Sequence, residues 1–171
     1  ERSMSARHSA KGLVTLFGGS GFIGRYAARR LVEEGYRVRV AVRRTNVANS
    51  VRLAGPPGWV DVVQANVRVK ESVAAAVEGA SAVVNLVGIL FERGKQNFEA
   101  AQLEGAANVA DACAQAGIDR LVHMSAIGAD PNSKSDYAKT KGEAEIEVLA
   151  RCPGAVILRP SIVFGPEDDF F

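Results

Sequence analysis

Gly18-Gly19-Ser20-Gly21-Phe22-Ile23-Gly24 is the stretch of sequence that decides the fold of this chain. It follows the apolar run Leu13-Phe17, which predicts a strand, and it opens Gly21-Glu34, which predicts a helix. A turn with few Cβ atoms lets backbone N–H groups and the positive end of the helix dipole approach a phosphate, and Gly24 allows the helix to pack closely on the strand. The stretch therefore predicts a pyrophosphate-binding turn, the alternative being a tight turn that binds no ligand.

Apolar runs and helical stretches alternate along the rest of the chain. Strands are predicted at six runs rich in Val, Ile and Leu: Leu13-Phe17, Arg37-Val42, Val60-Gln64, Ala82-Leu86, Arg120-Met124 and Ala155-Leu158. Helices are predicted at Gly21-Glu34, Val47-Leu53, Lys70-Val77, Phe98-Ala116 and Ser135-Ala150, and several are closed by a glycine: Gly35, Gly79, Gly117. We therefore expect an α/β Rossmann fold, a doubly wound parallel sheet with helices on both faces.

The composition is that of one compact domain with an apolar core. The chain has 171 residues, of which 47% are hydrophobic, and a formal net charge of +2, too small to indicate a nucleic-acid-binding protein. We expect residues 1–11 to be a disordered or vector-derived segment, and residues 12–171 to form the domain without a carboxyl-terminal substrate lobe.

The cysteines and the lengths of the apolar runs indicate the expected cellular location. Cys113 and Cys152 have no histidine near them in the sequence, which implies neither a disulfide framework nor a zinc site. No apolar run approaches the roughly 18 residues that a membrane span needs. The cytoplasm, or another reducing compartment, is the expected location.

Arg43 and Arg44 stand at the end of the second predicted strand, about 20 residues after the glycine turn. A protein that binds NAD(H) usually has a carboxylate there, which accepts hydrogen bonds from the adenosine ribose. Guanidinium groups instead pair with a 2′-phosphate, so the arginines favour NADP(H) over NAD(H). The alternative is a pair of arginines on a solvated loop.

Ser125, Tyr137 and Lys141 form a second candidate constellation. Tyr137 and Lys141 are four residues apart on a predicted helix and so share one face, where the ammonium is expected to favour the phenolate. Ser125 ends the fifth predicted strand, at the sheet edge where ligands bind in open α/β folds. Each residue alone is ordinary, but together they predict a proton donor with a carbonyl-binding hydroxyl.

The glycine turn, Ser125 and the Tyr137/Lys141 pair resemble the short-chain dehydrogenase/reductase superfamily in its extended or atypical branches, over Gly12 to Pro166. Further segments are similar to NADPH-binding accessory subunits of respiratory complex I and their bacterial relatives: Val84-Asn85-Leu86-Val87-Gly88, Asn97-Phe98-Glu99 and Phe164-Gly165-Pro166-Glu167-Asp168-Asp169-Phe170. Two positions depart from the superfamily pattern, since Asn66 replaces an Asp and Gln102 an Asn.

The resemblance implies a role for each of a larger set of residues. Ser20, Phe22 and Ile23 would bind the cofactor with the three turn glycines, Arg43 and Arg44 the 2′-phosphate, and Asn66 and Val67 the adenine. Val87 and Gly88 would line the cofactor, Lys141 would bond the nicotinamide ribose, and Pro160 and Ile162, within Pro160 to Val163, would flank the nicotinamide.

Two functions remain open from the sequence. The first is an NADP(H)-dependent oxidoreductase, or an epimerase or dehydratase, acting on a small carbonyl or nucleotide-sugar substrate with Tyr137 as proton donor. The second is a non-catalytic NADPH-binding accessory subunit that docks on complex I at the inner membrane, on the mitochondrial matrix or cytoplasmic side. A bound cofactor at about 100 times its Kd would add about 2.7 kcal/mol to the stability of such a subunit.

Overall fold

The computed structural model describes residues 10–88 and 99–166. Within these ranges six strands form one sheet: β1 (Leu13–Phe17), β2 (Arg37–Val42), β3 (Val60–Gln64), β4 (Ala82–Asn85), β5 (Leu121–Met124) and β6 (Val156–Leu158). All neighbours pair in parallel, in the order β3-β2-β1-β4-β5-β6. The predicted doubly wound parallel sheet is confirmed.

In the same described ranges, four α-helices connect the strands: α1 (Phe22–Glu33), α2 (Lys70–Val77), α3 (Gly105–Gln115) and α4 (Asp136–Arg151). The helix predicted at Val47-Leu53 is a 3₁₀ helix, Thr45–Ala54, and the stretch before α3 is a π-helix, Glu99–Glu104. Of the sequence predictions, Phe98 and Asn97, most of residues 1–11, and Glu167 to Phe170 lie outside the described residues.

Helix and strand ends follow from local chemistry. Gly35, Gly79 and Gly117, the glycines predicted to close helices, all have positive φ angles, between 68° and 90°. β4 ends at Asn85, one residue before its predicted end, because the side-chain Oδ1 of Asn85 accepts the Val87 N–H at 3.1 Å. The chain therefore leaves the sheet at the level where β1 also ends, since Phe17 pairs with Asn85.

The core lies on both faces of the sheet. Leu16 and Phe17, adjacent in β1, are almost fully buried on opposite faces, because successive side chains alternate along a strand. Leu16 packs in the cluster that includes Ala28 of α1 and Val51 of the 3₁₀ helix. Phe17 belongs to the cluster under α2, α3 and α4. The two halves of the sheet meet between β1 and β4, where this strand order opens a crevice at the carboxyl ends.

Within the described ranges, none of the helices combines the length and the apolar character that a bilayer crossing requires.

Candidate functional site

The glycine turn joins β1 directly to α1 and leaves no room for a Cβ at Gly18 or Gly24. Gly18 has φ +78°, and a Cβ there would lie 3.1 Å from the carbonyl carbon of Leu86. A Cβ on Gly24 would overlap the carbonyl oxygen of Gly18 and lie 2.5 Å from the Cα of Gly19. The close helix-to-strand packing expected at Gly24 is therefore found, and it fixes the start of α1 on the turn.

The amino terminus of α1 has no capping side chain and no acidic side chain in its first turn. Gly21 is the N-cap residue, so no side chain caps the helix, and its first turn carries no acidic residue. The turn is closed by the backbone bond from Gly21 N to Gly18 O, 3.2 Å. The backbone N–H groups and the dipole at this end of α1 therefore meet no acidic side chain from the helix's own first turn, which suits a phosphate.

A cavity of about 310 Å³ opens at the carboxyl ends of β1 to β4. Its lining contains eight of the residues predicted to hold the cofactor: Gly18, Ser20, Gly21, Arg43, Asn66, Val67, Val87 and Gly88. The other predicted cofactor residues are not in the lining, although Phe22, Ile23 and Gly24 continue the turn that forms its wall.

The charges of this cavity are all positive. Arg43 and Arg68 line it, and the part of its wall that the structure describes carries no carboxylate. Arg44 is exposed beside Arg43 but lies outside the lining. Asn66 shapes the loop between β3 and α2, since its Oδ1 accepts the Arg68 N–H at 3.1 Å and its own backbone N–H donates to Ser72 Oγ at 2.9 Å. An aspartate could make the first bond equally well, so the asparagine keeps the loop and removes one negative charge.

Lys141 connects this cavity to Tyr137. Its Nζ donates to the carbonyl oxygen of Met124 at 3.2 Å, and it lies 3.4 Å from where a Cβ on Gly88 would stand. The same Nζ is 6.0 Å from the centre of the Tyr137 ring. Gly88 lines the cavity, so the ammonium stands at its edge.

Burial controls the protonation of this pair. Lys141 is 4% exposed, and burial lowers its pKa to about 8, against an opposing effect of Glu145. Burial also raises the pKa of Tyr137 above its ordinary value. The structure therefore differs from the expectation that the ammonium favours the phenolate, because desolvation by burial is what shifts the pKa of Tyr137, and the Lys141 ammonium stands 6.0 Å from the ring centre.

Ser125 points away from the cavity. It is 3% exposed, and its hydroxyl donates to Oε1 of Glu145, which is itself 6% exposed. Arg159 binds the same carboxylate through both nitrogens of its fork, Nε at 2.9 Å from Oε1 and Nη2 to Oε2. The structure thus differs from the expectation of an accessible hydroxyl, because the alternation of β5 turns Ser125 toward α4.

The carboxylate of Glu145 is well supplied with donors. Burial acts to raise the pKa of Glu145, but hydrogen bonds from Arg159 and Ser125 outweigh burial and hold the pKa below its usual value. The group is therefore charged at neutral pH. Ser125, Glu145 and Arg159 link β5, α4 and the segment after β6 through one buried anion.

His123 is a second buried polar group on β5. Its Nδ1 lies 3.4 Å from the amide nitrogen of Asn85, and the Asn85 oxygen already accepts the Val87 N–H, so the amide donates to the ring. His123 Nε2 is buried without a hydrogen-bond partner in the described residues. Burial lowers the pKa of His123 to about 4, and nearby Lys141 acts in the same direction.

The segment after β6 crosses the same edge of the sheet. Pro160 accepts the Ile127 N–H at 2.8 Å, and Ile162 is 67% exposed. Gly165 returns to α1, where a Cβ would lie 2.8 Å from Cζ of Phe22. Pro160 and Ile162 therefore border the site without lining the cavity.

Sequence reasoning missed Arg68 and Glu145. Arg68 follows the predicted adenine-bordering pair by one residue, which was the available signal. Glu145 stands four residues after Lys141, and that spacing places both on one helix face.

Comparison with known proteins agrees with this geometry. Residues 18–162 match the family described as NAD(P)H-binding. The chain is 33% identical over 168 residues to the "NADH-ubiquinone oxidoreductase 40 kDa subunit, mitochondrial" of Neurospora crassa, covering 98% of this chain and 45% of that protein. It is 32% identical over 163 residues to a "Ceramide reductase" of Caulobacter vibrioides, covering 93% of this chain and 49% of that protein.

The fold is also that of solved structures. The Bordetella bronchiseptica enzyme WbmH, in complex with NAD+, aligns with a TM-score of 0.76 at 18% identity, over 92% of this chain and 59% of that one. The chain spans about half the length of the curated relatives it matches. The predicted likeness to complex I accessory subunits is confirmed. With its glycine turn, its arginine-lined cavity and its match over residues 18–162, the chain belongs to the NAD(P)H-binding family, which binds a nicotinamide dinucleotide.

Proposed function

We propose that this chain holds NADP(H) in preference to NAD(H) as the dinucleotide-binding part of an accessory protein. The observation that carries the proposal is the charge of the cavity, since Arg43 and Arg68 line it and the lining that the structure describes contains no Asp or Glu. A 2′-phosphate adds about two negative charges near that wall, and guanidinium groups pair with it by charge-assisted bonds. The ribose of NAD(H) lacks the carboxylate partner that it usually finds at this place.

The residues present fit the dinucleotide along the sheet edge. The pyrophosphate would take the N–H groups of Ser20, Phe22 and Ile23, where α1 begins without an acidic side chain. Arg43, with Arg44 beside it, would hold the 2′-phosphate. The adenine would lie against Asn66 and Val67, and the middle of the dinucleotide against Val87 and Gly88. The nicotinamide ribose would lie near Lys141, and Pro160 and Ile162 would flank the nicotinamide ring.

A retained cofactor is the role that the α4 side of the site favours. The hydroxyl of Ser125, which would have to bind a substrate carbonyl, is bonded to Glu145 in the interior. Similarity to a mitochondrial "NADH-ubiquinone oxidoreductase" subunit supports docking on respiratory complex I, peripheral to the inner membrane on its matrix or cytoplasmic side. In this role the cofactor would stabilise the domain by binding only its folded state.

A reductase is the second candidate function, and the neighbourhood of Tyr137 and Lys141 favours it. The bound dinucleotide would supply or accept a hydride. Because burial raises the pKa of Tyr137, its phenol is protonated at neutral pH and could donate a proton to a carbonyl oxygen. Similarity to a ceramide reductase supports this candidate. In this role the buried Ser125 would not be available to orient the substrate carbonyl.

The test is to identify the nucleotide that the protein carries. The longest available form is purified, dialysed and denatured, and the released nucleotide is measured by mass spectrometry, while Kd values for NADPH and NADH are measured on the emptied protein. We expect NADP(H) in near-equal molar amount and a Kd for NADPH at least about tenfold lower, or about 1.4 kcal/mol. Equal affinities would refute the NADP(H) preference, and absence of retained nucleotide with measurable turnover would favour the reductase.

A further inference from the structure

Glu145 is a buried charge that the proposed contacts of the cofactor leave unexplained. It lies one helical turn after Lys141 on α4, and the two residues are 6% and 4% exposed. Such a pair on a helix buried against a sheet is costly unless each charge meets a partner. Glu145 has Ser125 and Arg159 as donors, and Lys141 has the Met124 carbonyl.

The partners of Glu145 belong to the elements that frame the nicotinamide end of the proposed site. Ser125 directly follows β5, and Arg159 directly follows β6. Arg159 also immediately precedes Pro160, the first residue of the segment proposed to flank the nicotinamide. A change at Glu145 therefore reaches both Lys141 and that segment, although Glu145 is not in the cavity lining.

We propose that Glu145 is a positioning residue of the dinucleotide site: its bond to Arg159 anchors the segment proposed to flank the nicotinamide, and its negative charge, one helical turn from Lys141, favours the ammonium that stands at the Gly88 edge of the cavity. The proposal deepens the proposed function and rests on it. Ser125 then belongs to this internal anchor and not to the substrate-binding surface.

The proposal depends on the negative charge of Glu145, and not only on its shape, because the other titratable groups near Lys141 supply no negative charge at pH 7. Among the described residues, the titratable and charged groups near Lys141 and Glu145 are Tyr137 on α4, His123 on β5 and Arg159 after β6. Burial raises the pKa of Tyr137, so its phenol is protonated at pH 7. Burial lowers the pKa of His123, so its ring is neutral at pH 7. Glu145 is the carboxylate that opposes the effect of burial on the pKa of Lys141.

The test follows NADPH binding as a function of pH. Kd is measured by nicotinamide fluorescence between pH 6 and 9.5 on the full protein, for the wild type and for Glu145→Gln. We expect wild-type affinity to decline as Lys141 loses its proton near pH 8. Because the glutamine keeps the shape and removes the charge, the midpoint of this decline should move down by about half a unit or more, and affinity at pH 8 should fall about threefold or more.

Two further variants separate charge from packing. Glu147→Gln is the matched control, because Glu147 also pairs with an arginine, Arg151, on α4, and its substitution should leave the midpoint unchanged. Arg159→Gln should move the midpoint up, because it leaves the Glu145 charge less neutralised beside Lys141. This opposite shift tests the proposal even where Glu145→Gln fails to fold.

The outcomes are distinct. Downward and upward shifts for Glu145→Gln and Arg159→Gln support the proposal. A wild-type affinity that does not change with pH, or midpoints that stay together in folded variants, would overturn it while the NADP(H) preference stands. Failure of the wild type to bind NADPH or NADH at any pH would overturn the proposed function, and this inference with it.

Discussion

The two ends of the site meet at Gly88 and differ in how their charges are balanced within the protein. The turn end, formed by the glycine turn, Arg43 and the loop at Asn66, is a cavity whose attraction for an anion comes from backbone N–H groups and arginines. The α4 end, formed by Lys141, Glu145 and Arg159, carries its own counter-charges, since the buried carboxylate of Glu145 pairs with the half-exposed Arg159. Substitutions at the turn end should therefore change ligand affinity directly, while those at the α4 end should change how stability and affinity depend on pH.

The largest effect is expected at the turn itself, from Gly24→Ala. The new Cβ would overlap the Gly18 carbonyl and the Gly19 backbone, and neither can move without displacing α1 from β1. We expect a loss of about 4 kcal/mol or more in the free energy of unfolding, and loss of detectable dinucleotide binding. Urea unfolding and NADPH titration measure both.

The control for this substitution is Gly79→Ala. Gly79 also has a positive φ, +72°, but a Cβ there meets no atom within 4 Å. It should cost about 1 kcal/mol, the strain of a left-handed alanine, and leave NADPH affinity unchanged. If Gly24→Ala lowers the free energy of unfolding no more than Gly79→Ala does, close packing of α1 on the turn does not stabilise the turn end.

On β5, beside the α4 end, the largest expected effect is acid sensitivity caused by His123. Its pKa is about 4 in the folded protein against 6.5 for the ordinary group, so the unfolded chain binds more protons between these values. Stability is complete above pH 6.5 and is lost as pH falls toward 4, by up to about 3 kcal/mol.

Urea unfolding of the wild type and His123→Gln at pH 7 and pH 4.5 measures this contribution. The variant should lose less stability between the two pH values, by about 2 to 3 kcal/mol, whatever its stability at pH 7. An equal loss in both proteins would mean that the buried ring does not set the acid response, and that the carboxylates do.

A smaller effect is expected from the arginines of the turn end. Arg43→Ala with Arg44→Ala should weaken NADPH binding about 10- to 100-fold and NADH binding by no more than about threefold, because NADPH alone loses its phosphate partners. The single change at Arg43, which lines the cavity, should account for more of the loss than the change at Arg44, which does not.

Arg52→Ala is the control for general loss of positive charge, since Arg52 is an exposed arginine on the neighbouring 3₁₀ helix. It should leave both affinities unchanged. Equal weakening of NADPH and NADH by the double variant would remove the arginines from the 2′-phosphate site.

Sequence predicted the turn end far better than the α4 end, and the reason is the range of the interactions. Gly18, Gly21 and Gly24 act within seven residues and one turn, so their spacing carries most of the geometry. The strands were found because each is a short run rich in apolar residues, and in the central strand β1 four of the five residues are buried. β2 and β3 begin and end at the predicted residues.

The α4 end depends on contacts between distant residues. Glu145 lies 20 residues from Ser125 and 14 from Arg159, and only the folded sheet brings the three together. Strand alternation could have indicated that Ser125 faces the same side as the buried His123. Desolvation, which decides the pKa of Tyr137, depends on the burial of the whole helix and has no local signature.

The smallest effect on binding is expected from Tyr137→Phe, which tests whether the α4 end performs chemistry. The phenol is protonated at neutral pH because burial raises its pKa, so the substitution removes a transferable proton and little surface. NADPH affinity should stay within about twofold, while any NADPH-dependent reduction of a carbonyl substrate, followed by cofactor absorbance, should disappear.

Tyr36→Phe is the matched control, because Tyr36 also lies beside a lysine, with Lys11 Nζ 5.8 Å from its ring centre, but is remote from the cavity lining. It should leave both binding and turnover unchanged. Turnover that survives in Tyr137→Phe would show that the phenol is not the proton donor. Since Ser125 is bonded to Glu145 in the interior, such a result would leave the α4 end as a support for a held cofactor and the turn end as the part that selects it.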